Sequence, residues 1–277
     1  MTGVLVLVAT PIGNLSDMSS RAIETLESSD LVACEDTRRT GLLLQNCGIT
    51  GKRMLRVDAH TEDKASVEII NCLSEGLTVS MVTDAGMPSI SDPGERLVKK
   101  VIESGHRVTV VPGPTAPISA LVVSGFSTQR WCMEGFLPRK GESRVKRLKE
   151  IAEEERTVVL FESPRRLATT LKDLFQECGS ARQVAVAREL TKIHEEIFRG
   201  SLEESLKWVE KSIKGEIVIV LEAGTSTSEV DGERLETVLR EILAGGVSTK
   251  DAAEEASRRL NVSRRRAYST ALDLRAE

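Results

Sequence analysis

Three short stretches concentrate residue types that hold or transform a ligand, and each directly follows an apolar run. Residues 83–94 read T-D-A-G-M-P-S-I-S-D-P-G, twelve positions with two Asp, two Gly, two Pro and two Ser. Such a loop is stiff and rich in backbone donors, and an adjacent carboxylate can take ribose hydroxyls or an amine. A plain loop whose Asp92 caps the next helix accounts for Asp92 and Pro93, but leaves Asp84-Ala85-Gly86 without a reason. Residues 9–15, A-T-P-I-G-N-L, lack the G-x-G-x-x-G glycines that admit a pyrophosphate, and they lack the G-K-[ST] of a P-loop. Taken alone they are an ordinary strand-to-helix turn. Residues 112–117, P-G-P-T-A-P, place three prolines in six positions and so fix the backbone. All three stretches sit at the carboxyl ends of expected strands, the edge where doubly wound sheets bind ligands.

A second set of residues is charged. Arg188-Glu189-Leu190-Thr191-Lys192 clusters three charges at a strand end, and Glu35-Asp36-Thr37-Arg38-Arg39 opens a helix. Residues 139–149 hold six cations (Arg139, Lys140, Arg144, Lys146, Arg147, Lys149) against Glu142, a local +5, and Arg165-Arg166 follow. Residues 258–266 hold five arginines, Arg258, Arg259, Arg264, Arg265 and Arg266, with no acid. Local density of this kind, rather than net charge, sets affinity for phosphates. A solvated helix face is the plainer account, and the acidic run at 150–155 supports it. His60, His106 and His194 are isolated, without metal-ligand spacing, so no metal is expected. No G-x-S-x-G is present, which argues against an α/β-hydrolase.

The elements that must position these residues alternate. Buried strands are expected at 4–9, 31–34, 54–57, 78–82 and 107–111. Between them lie helices following Asp17 or Ser19, then at 37–47, 64–74 and 95–103. Strands alternating with helices of this length build βαβ units and a doubly wound parallel sheet. After a helix at 118–124 come strands at 130–134, 157–162, 184–187, 195–199 and 216–222, with a chain break at 135–138. Helices are expected there at 142–154, 165–178 and 202–211. The hairpin character of this half predicts a mixed sheet. A polar linker at 225–228 leads to three short helices at 234–243, 250–260 and 265–272, the last capped by Ser263 and resembling a helix-turn-helix module.

Composition bounds the rest. The 277 residues are 40% hydrophobic and 29% charged, ordinary for a globular chain and long enough for about two domains. No apolar run approaches the ~20 residues that span a bilayer, and the start reads as a first strand, not a signal peptide. Five cysteines without C-x-x-C fit reduced thiols in a cytoplasmic protein. The net charge of −4 and aromatic content of 3% speak, at first sight, against nucleic acid.

In their order, the motifs A-T-P-I-G-N-L-S-D (9–17), C-E-D-T-R (34–38), D-A-G-M-P-S-I-S-D-P-G (84–94) and P-G-P-T-A (112–116) resemble one family. E-G-F-L-P-R-K (134–140), F-E-S-P-R-R-L (161–167), A-R-E-L-T-K (187–192) and K-G-E-I-V (214–218) continue the likeness. It is the ribosomal RNA small subunit methyltransferase I family, within the tetrapyrrole methylase-like (class III) superfamily. The resemblance implies an N-terminal α/β domain at 1–116, a second α/β domain at 117–224 and a basic helical tail at 225–277. It implies S-adenosylmethionine as cofactor, a cytidine 2′-hydroxyl of 16S rRNA at the decoding centre as acceptor, and a homodimer in the cytoplasm with no membrane association. Carried onto this chain, cofactor contacts fall on Pro11, Asp84, Gly86, Met87, Ile90, Thr115, Ala116, Phe136, Leu137 and Ala187, with residues 214–216 beside them. Met87 stands where the family usually has Thr, Phe161 where it has Tyr.

Such a reaction needs a base or an alkoxide-stabilising cation. Glu189 or Glu35 suits the first role and Lys192 or Arg38 the second. RNA is expected on Arg139, Lys140, Arg144, Lys146, Arg147, Arg165 and Arg166, and on the five tail arginines. The alternatives are a tetrapyrrole methyltransferase of the same superfamily, which needs no such basic segments, and a non-enzymatic RNA-binding assembly factor, which needs no Asp84 loop.

Overall fold

A computed structural model describes residues 3–210, 213–224, 232–260, 262 and 264–276. The chain divides into two compact units, residues 1–123 with 187–196, and residues 124–186 with 197–277. The second part of the first unit is an assignment that no linear reading of the chain gives.

In the first unit β1 (Val4–Val8), β2 (Leu31–Cys34), β3 (Met54–Arg56), β4 (Thr78–Val82) and β5 (Arg107–Val111) form a sheet in the order β3-β2-β4-β1-β5. All four pairings are parallel. Alternate residues build two cores. Leu5, Leu31, Ala33, Val79 and Met81 pack under α3 (Glu62–Ser74) and α4 (Glu95–Glu103), through Ile69, Leu73, Leu97 and Val101. Val6, Val8, Val32, Cys34 and Val82 pack under α1 (Ser20–Ser28) and α2 (Thr37–Asn46), through Ala22, Leu26 and Leu44. Helices on both faces explain why β1 and β2 are apolar throughout, and each fully buried Leu or Val contributes about 2 kcal/mol. Because α1 and α4 lie on opposite faces, the carboxyl ends of the adjacent strands β1 and β4 mark the switch point of the sheet. Ser19, not Asp17, caps α1, its hydroxyl accepting from Ala22 N at 3.1 Å.

The second unit holds β6 (Trp131–Phe136), β7 (Thr157–Glu162), β8 (Gln183–Arg188), β9 (Glu196–Ser201) and β10 (Ile217–Leu221), in the order β6-β7-β10-β8-β9. The sheet is mixed: β6 pairs parallel with β7, and β7 antiparallel with β10. The expected break at 135–138 is instead a β-bulge. Glu134 is the extra residue between the pairs Met133–Val159 and Gly135–Leu160, and the strand continues to Phe136. The helices α6 (Glu142–Ala152) and α7 (Pro164–Cys178) cover one face through Leu148, Ile151, Leu167, Leu171 and Leu174. The helix expected at 202–211 is α8 (Leu202–Trp208). Then α9 (Gly232–Ala244), α10 (Thr249–Leu260) and α11 (Arg264–Ala276) share a core of Leu235, Leu239 and small alanines. The linker at 225–228 and the cap Ser263 lie outside the described residues.

Arg144 is a correction to the expected basic surface. It is 7% exposed, its Nε donating to Asp173 Oδ2 at 2.8 Å, its Nη1 to the Pro138 carbonyl at 2.9 Å and its Nη2 to Thr170 Oγ1 at 2.9 Å. Thr170 Oγ1 in turn donates to the buried Glu162 at 2.6 Å. The guanidinium therefore ties α6 to α7 and to the end of β6, rather than facing a partner. Arg144→Ala is expected to destabilise the protein by about 2 kcal/mol, since it removes the charge-assisted hydrogen bonds to Asp173, the Pro138 carbonyl and Thr170. Arg144→Lys, without the planar fork, should recover only part of that. Urea denaturation followed by circular dichroism measures both.

Candidate active site

The three Gly/Pro/Asp loops meet at the carboxyl edge of the first sheet. Thr10 and Gly86 exchange two backbone hydrogen bonds, Thr10 N to Gly86 O at 2.9 Å and Gly86 N to Thr10 O at 3.1 Å. The buried Thr10 hydroxyl donates to Thr83 O at 3.2 Å. Ala9 N donates to Val111 O at 3.1 Å, and a Cβ on Gly113 would stand 2.9 Å from that of Ala9. Gly86 has φ +83°, a conformation in which a side chain is strained, and it packs against Ile12 and the Pro114 carbonyl. Pro11, Asp84, Gly86, Met87, Thr115 and Ala116 are thus borne on loops locked to one another. Ile90 is exposed on the same loop as Asp84, between Ser89 (φ 72°) and Ser91 (φ 64°). Two non-glycine residues in this conformation are backbone strain of the kind that concentrates at working sites.

The expected capping by Asp92 is replaced by another arrangement. The N-cap of α4 is Gly94, with no side-chain cap. The free amides are met from α3: buried Glu62 accepts from Gly94 N and Leu97 N, each at 3.0 Å, and from Arg96 Nε at 3.3 Å. Asp92 is left to face Thr83 and two carboxylates. Burial first, and then the charge of Glu35, push its pKa up to about 6. Burial and the charge of Asp84 also raise Glu35, opposed by the Asp84 backbone N–H and by Arg39. Arg39 Nη1 donates to Asp84 Oδ2 at 3.0 Å. Asp84 Oδ1, a buried acceptor, has no hydrogen-bond partner among the described residues. A cluster of carboxylates of this kind, with one acceptor oxygen unclaimed, suits a cationic ligand carrying its own N–H groups.

Residues 187–196 belong to this unit and bring the second charged cluster to the first loop. A Cβ on Gly13 would stand 2.4 Å from Lys192 Cγ, 2.8 Å from Thr191 Oγ1 and 3.0 Å from Leu190 O, so only glycine permits this approach. Lys192 Nζ pairs with Glu189 Oε1 at 2.9 Å. Glu189 (φ 52°) and Thr191 (φ 65°) are again left-handed, and Thr191 N donates to Glu195 Oε2 at 2.6 Å. Of the expected catalytic residues, Glu189 and Lys192 are therefore paired. Glu35 lies among the carboxylates. Arg38 is exposed and gives its backbone N–H to Asp36 Oδ1 at 2.8 Å, while its neighbour Arg39 is the residue that reaches Asp84. Arg39, Glu62 and Glu195 were not foreseen; only the charge of the 35–39 stretch signalled any of them.

The remaining expected contacts lie apart in kind. Ala187 is buried, and Leu137 is a core side chain of the second unit, whereas Phe136 is 57% exposed. Arg139, Lys140, Lys146 and Arg165 are exposed. Arg147 pairs with Glu134 and Glu150, and Arg166 donates to Leu137 O at 2.8 Å and lies 3.4 Å from Glu162. In the tail Arg258 and Arg259 pair with Glu255, and Arg264 with Glu254, so the local +5 is partly neutralised. Arg266 is half-buried, and the Arg265 side chain lies outside the described residues. Among the described residues no group of three or more metal-ligating side chains occurs, and no helix is long and apolar enough to cross a membrane.

A family model described as "Tetrapyrrole (Corrin/Porphyrin) Methylases" matches residues 4–206. The chain is 42% identical to "Ribosomal RNA small subunit methyltransferase I" of Synechocystis sp., over 99% of both chains. It is 43% identical to the protein of that name from Mycobacterium tuberculosis, over 100% of this chain and 97% of the relative. Among solved structures, diphthine synthase superposes with a TM-score of 0.62 at 14% identity, covering 80% of this chain and 90% of the other. Uroporphyrin-III-C-methyltransferase from Thermus thermophilus gives 0.55 at 18%, covering 79% of this chain and 94% of the other. At those identities the structural likeness is one of fold.

The acidic cluster makes stability depend on pH. Folded Asp92 holds its proton more tightly than a free carboxyl of pKa 3.8, so ionising it destabilises the fold as pH rises from about 4 to about 6. Below that window the penalty is absent; above it the penalty is complete. Asp92→Asn is expected to melt about 3 °C higher than the parent at pH 8 and together with it at pH 4. Differential scanning calorimetry across that range checks this, and an equal gap at both pH values would contradict it.

Proposed function

The chain belongs to the ribosomal RNA small subunit methyltransferase I family, and on that premise we propose that it methylates the ribose 2′-hydroxyl of a cytidine in 16S rRNA, at the decoding centre, using S-adenosylmethionine. When bound, S-adenosylmethionine supplies an electrophilic methyl on a cationic sulfur. The locked loops fit such a group: Glu35, Asp84 and Asp92 complement its positive charge, and Asp84 Oδ1 offers an unclaimed acceptor. Pro11, Gly86, Met87, Ile90, Thr115, Ala116 and Ala187 would line the same cofactor site.

The observation that carries the reading is the Glu189–Lys192 pair pressed against Gly13. A 2′-hydroxyl is a weak nucleophile. Glu189 would take its proton as the new C–O bond forms and the methyl–sulfur bond breaks, its electron pair leaving on sulfur as a neutral thioether, and Lys192 would stabilise the charge that develops on oxygen. Holding acceptor and donor in line supplies much of the remaining acceleration. The exposed cations Arg139, Lys140, Lys146 and Arg165 favour RNA over a tetrapyrrole. The reading includes a cytoplasmic homodimer, for which exposed Val110 of β5 and Ile118 and Val122 of the helix α5 (Ala116–Ser124) offer an apolar surface.

Incubation with methyl-labelled S-adenosylmethionine and assembled 30S subunits, naked 16S rRNA or a tetrapyrrole should place label on the ribosomal RNA alone. Label on the tetrapyrrole, or none on RNA, overturns the reading. Glu189→Ala and Lys192→Ala are each expected to lower the single-turnover rate at saturating cofactor by roughly 100-fold or more. Parental rates in both would remove them from the chemistry.

A further inference from the structure

We propose that a groove on the second unit, walled by Phe136, is a pocket for one unstacked nucleotide of the RNA substrate; this rests on the RNA-methylating reading above. The groove encloses about 450 Å³, within the ~300–1,000 Å³ typical of small-ligand pockets. Its residues come from the end of β6, the following turn and α6, all within one unit.

One wall is a platform. Phe136 is 57% exposed although it is a phenylalanine at the end of a strand. Its ring is backed by Phe161 at a centroid distance of 5.4 Å and 30° between planes, which fixes its orientation. Single-stranded RNA is held by bases laid on such faces, and any base has a face to offer.

The other wall is polar and arranged. Glu134, the bulged residue of β6, lines the groove together with Phe136. Arg147 is held from two sides, by Glu134 and by Glu150 at 2.7 Å. A guanidinium fixed between carboxylates presents donors and acceptors side by side, the complement of a base edge. Lys146 lines the same groove with its side chain 81% exposed, and Arg139 and Lys140 are exposed on the adjoining turn. These cations favour a phosphate-bearing ligand. They disfavour the sulfonium cofactor, whose charge matches the carboxylates of the first unit instead.

The test compares the full-length protein with Phe136→Ala, Phe136→Trp and Lys146→Glu. Both positions are exposed, so melting temperatures should move little, by no more than the loss of the Phe136–Phe161 ring contact in Phe136→Ala. Expected are a roughly 10-fold rise in KM for 30S subunits and a matching loss of 16S rRNA binding in Phe136→Ala. Phe136→Trp should retain binding, and Lys146→Glu should weaken it with a salt slope about one unit shallower. S-adenosylmethionine affinity by calorimetry should be unchanged throughout. Parental KM and RNA binding in both Phe136→Ala and Lys146→Glu overturn the pocket. So does a loss of cofactor affinity in Phe136→Ala, which would give the ring to the cofactor, or a change in sedimentation, which would give it to a second copy. If the parent labels no RNA at all, the reading of function fails, while rRNA binding by the variants still decides the pocket.

Discussion

Two backbone hydrogen bonds between Thr10 and Gly86 hold together the loops at the carboxyl edge of the first sheet. They join the end of β1 to the loop after β4 at the point where helices leave the sheet on opposite faces. Without them the strand ends would splay, because the turn at 9–13 and the loop at 83–94 have few other mutual anchors of this kind. The Thr10 hydroxyl extends the same clamp to Thr83, the residue beside Asp84 and opposite Asp92. Glu62 closes the far end of the loop by occupying the first amides of α4. A loop fixed at both ends can keep Ser89 and Ser91 in strained conformations, and can hold two carboxyls above their ordinary pKa, without relaxing.

Charge is distributed by unit. The first concentrates carboxylates at its switch point, while the exposed cations Arg139, Lys140, Lys146 and Arg165 lie on the second. The proposed reaction, between a cationic donor and a polyanionic acceptor, asks for both signs at once, and dispersing them avoids mutual neutralisation. Where cations and acids do neighbour one another, as in Arg258 and Arg259 with Glu255, the pair is exposed and adds little to stability.

Much of this was legible in the sequence, and the reasons differ by feature. The parallel strands were readable because residues buried on both faces must be apolar at every position, as 31–34 are. Loops at strand ends announced themselves through glycine and proline. Side-chain partners did not. Arg144 and Lys146 are two residues apart in one helix, yet one is buried and the other exposed, and only the packing of α6 on α7 decides which. Asp92 looked like a cap because the next helix begins nearby, but a carboxylate from α3, distant in sequence, had taken those amides. The bulge at Glu134 escaped for a related reason: Gly-Phe-Leu-Pro reads as a break, and only the pairing with β7 carries the strand across it.

The first unit is not continuous along the chain, since residues 187–196 complete it after most of the second sheet's strands have been traversed. This has a bearing on synthesis. A nascent chain that has emerged as far as α5 possesses the whole parallel sheet and all three Gly/Pro/Asp loops, yet lacks the Glu189–Lys192 pair that Gly13 is shaped to receive. Any truncated translation product ending before residue 187 therefore lacks the segment that packs against Gly13, and the first unit is complete only once that later part of the chain has been made.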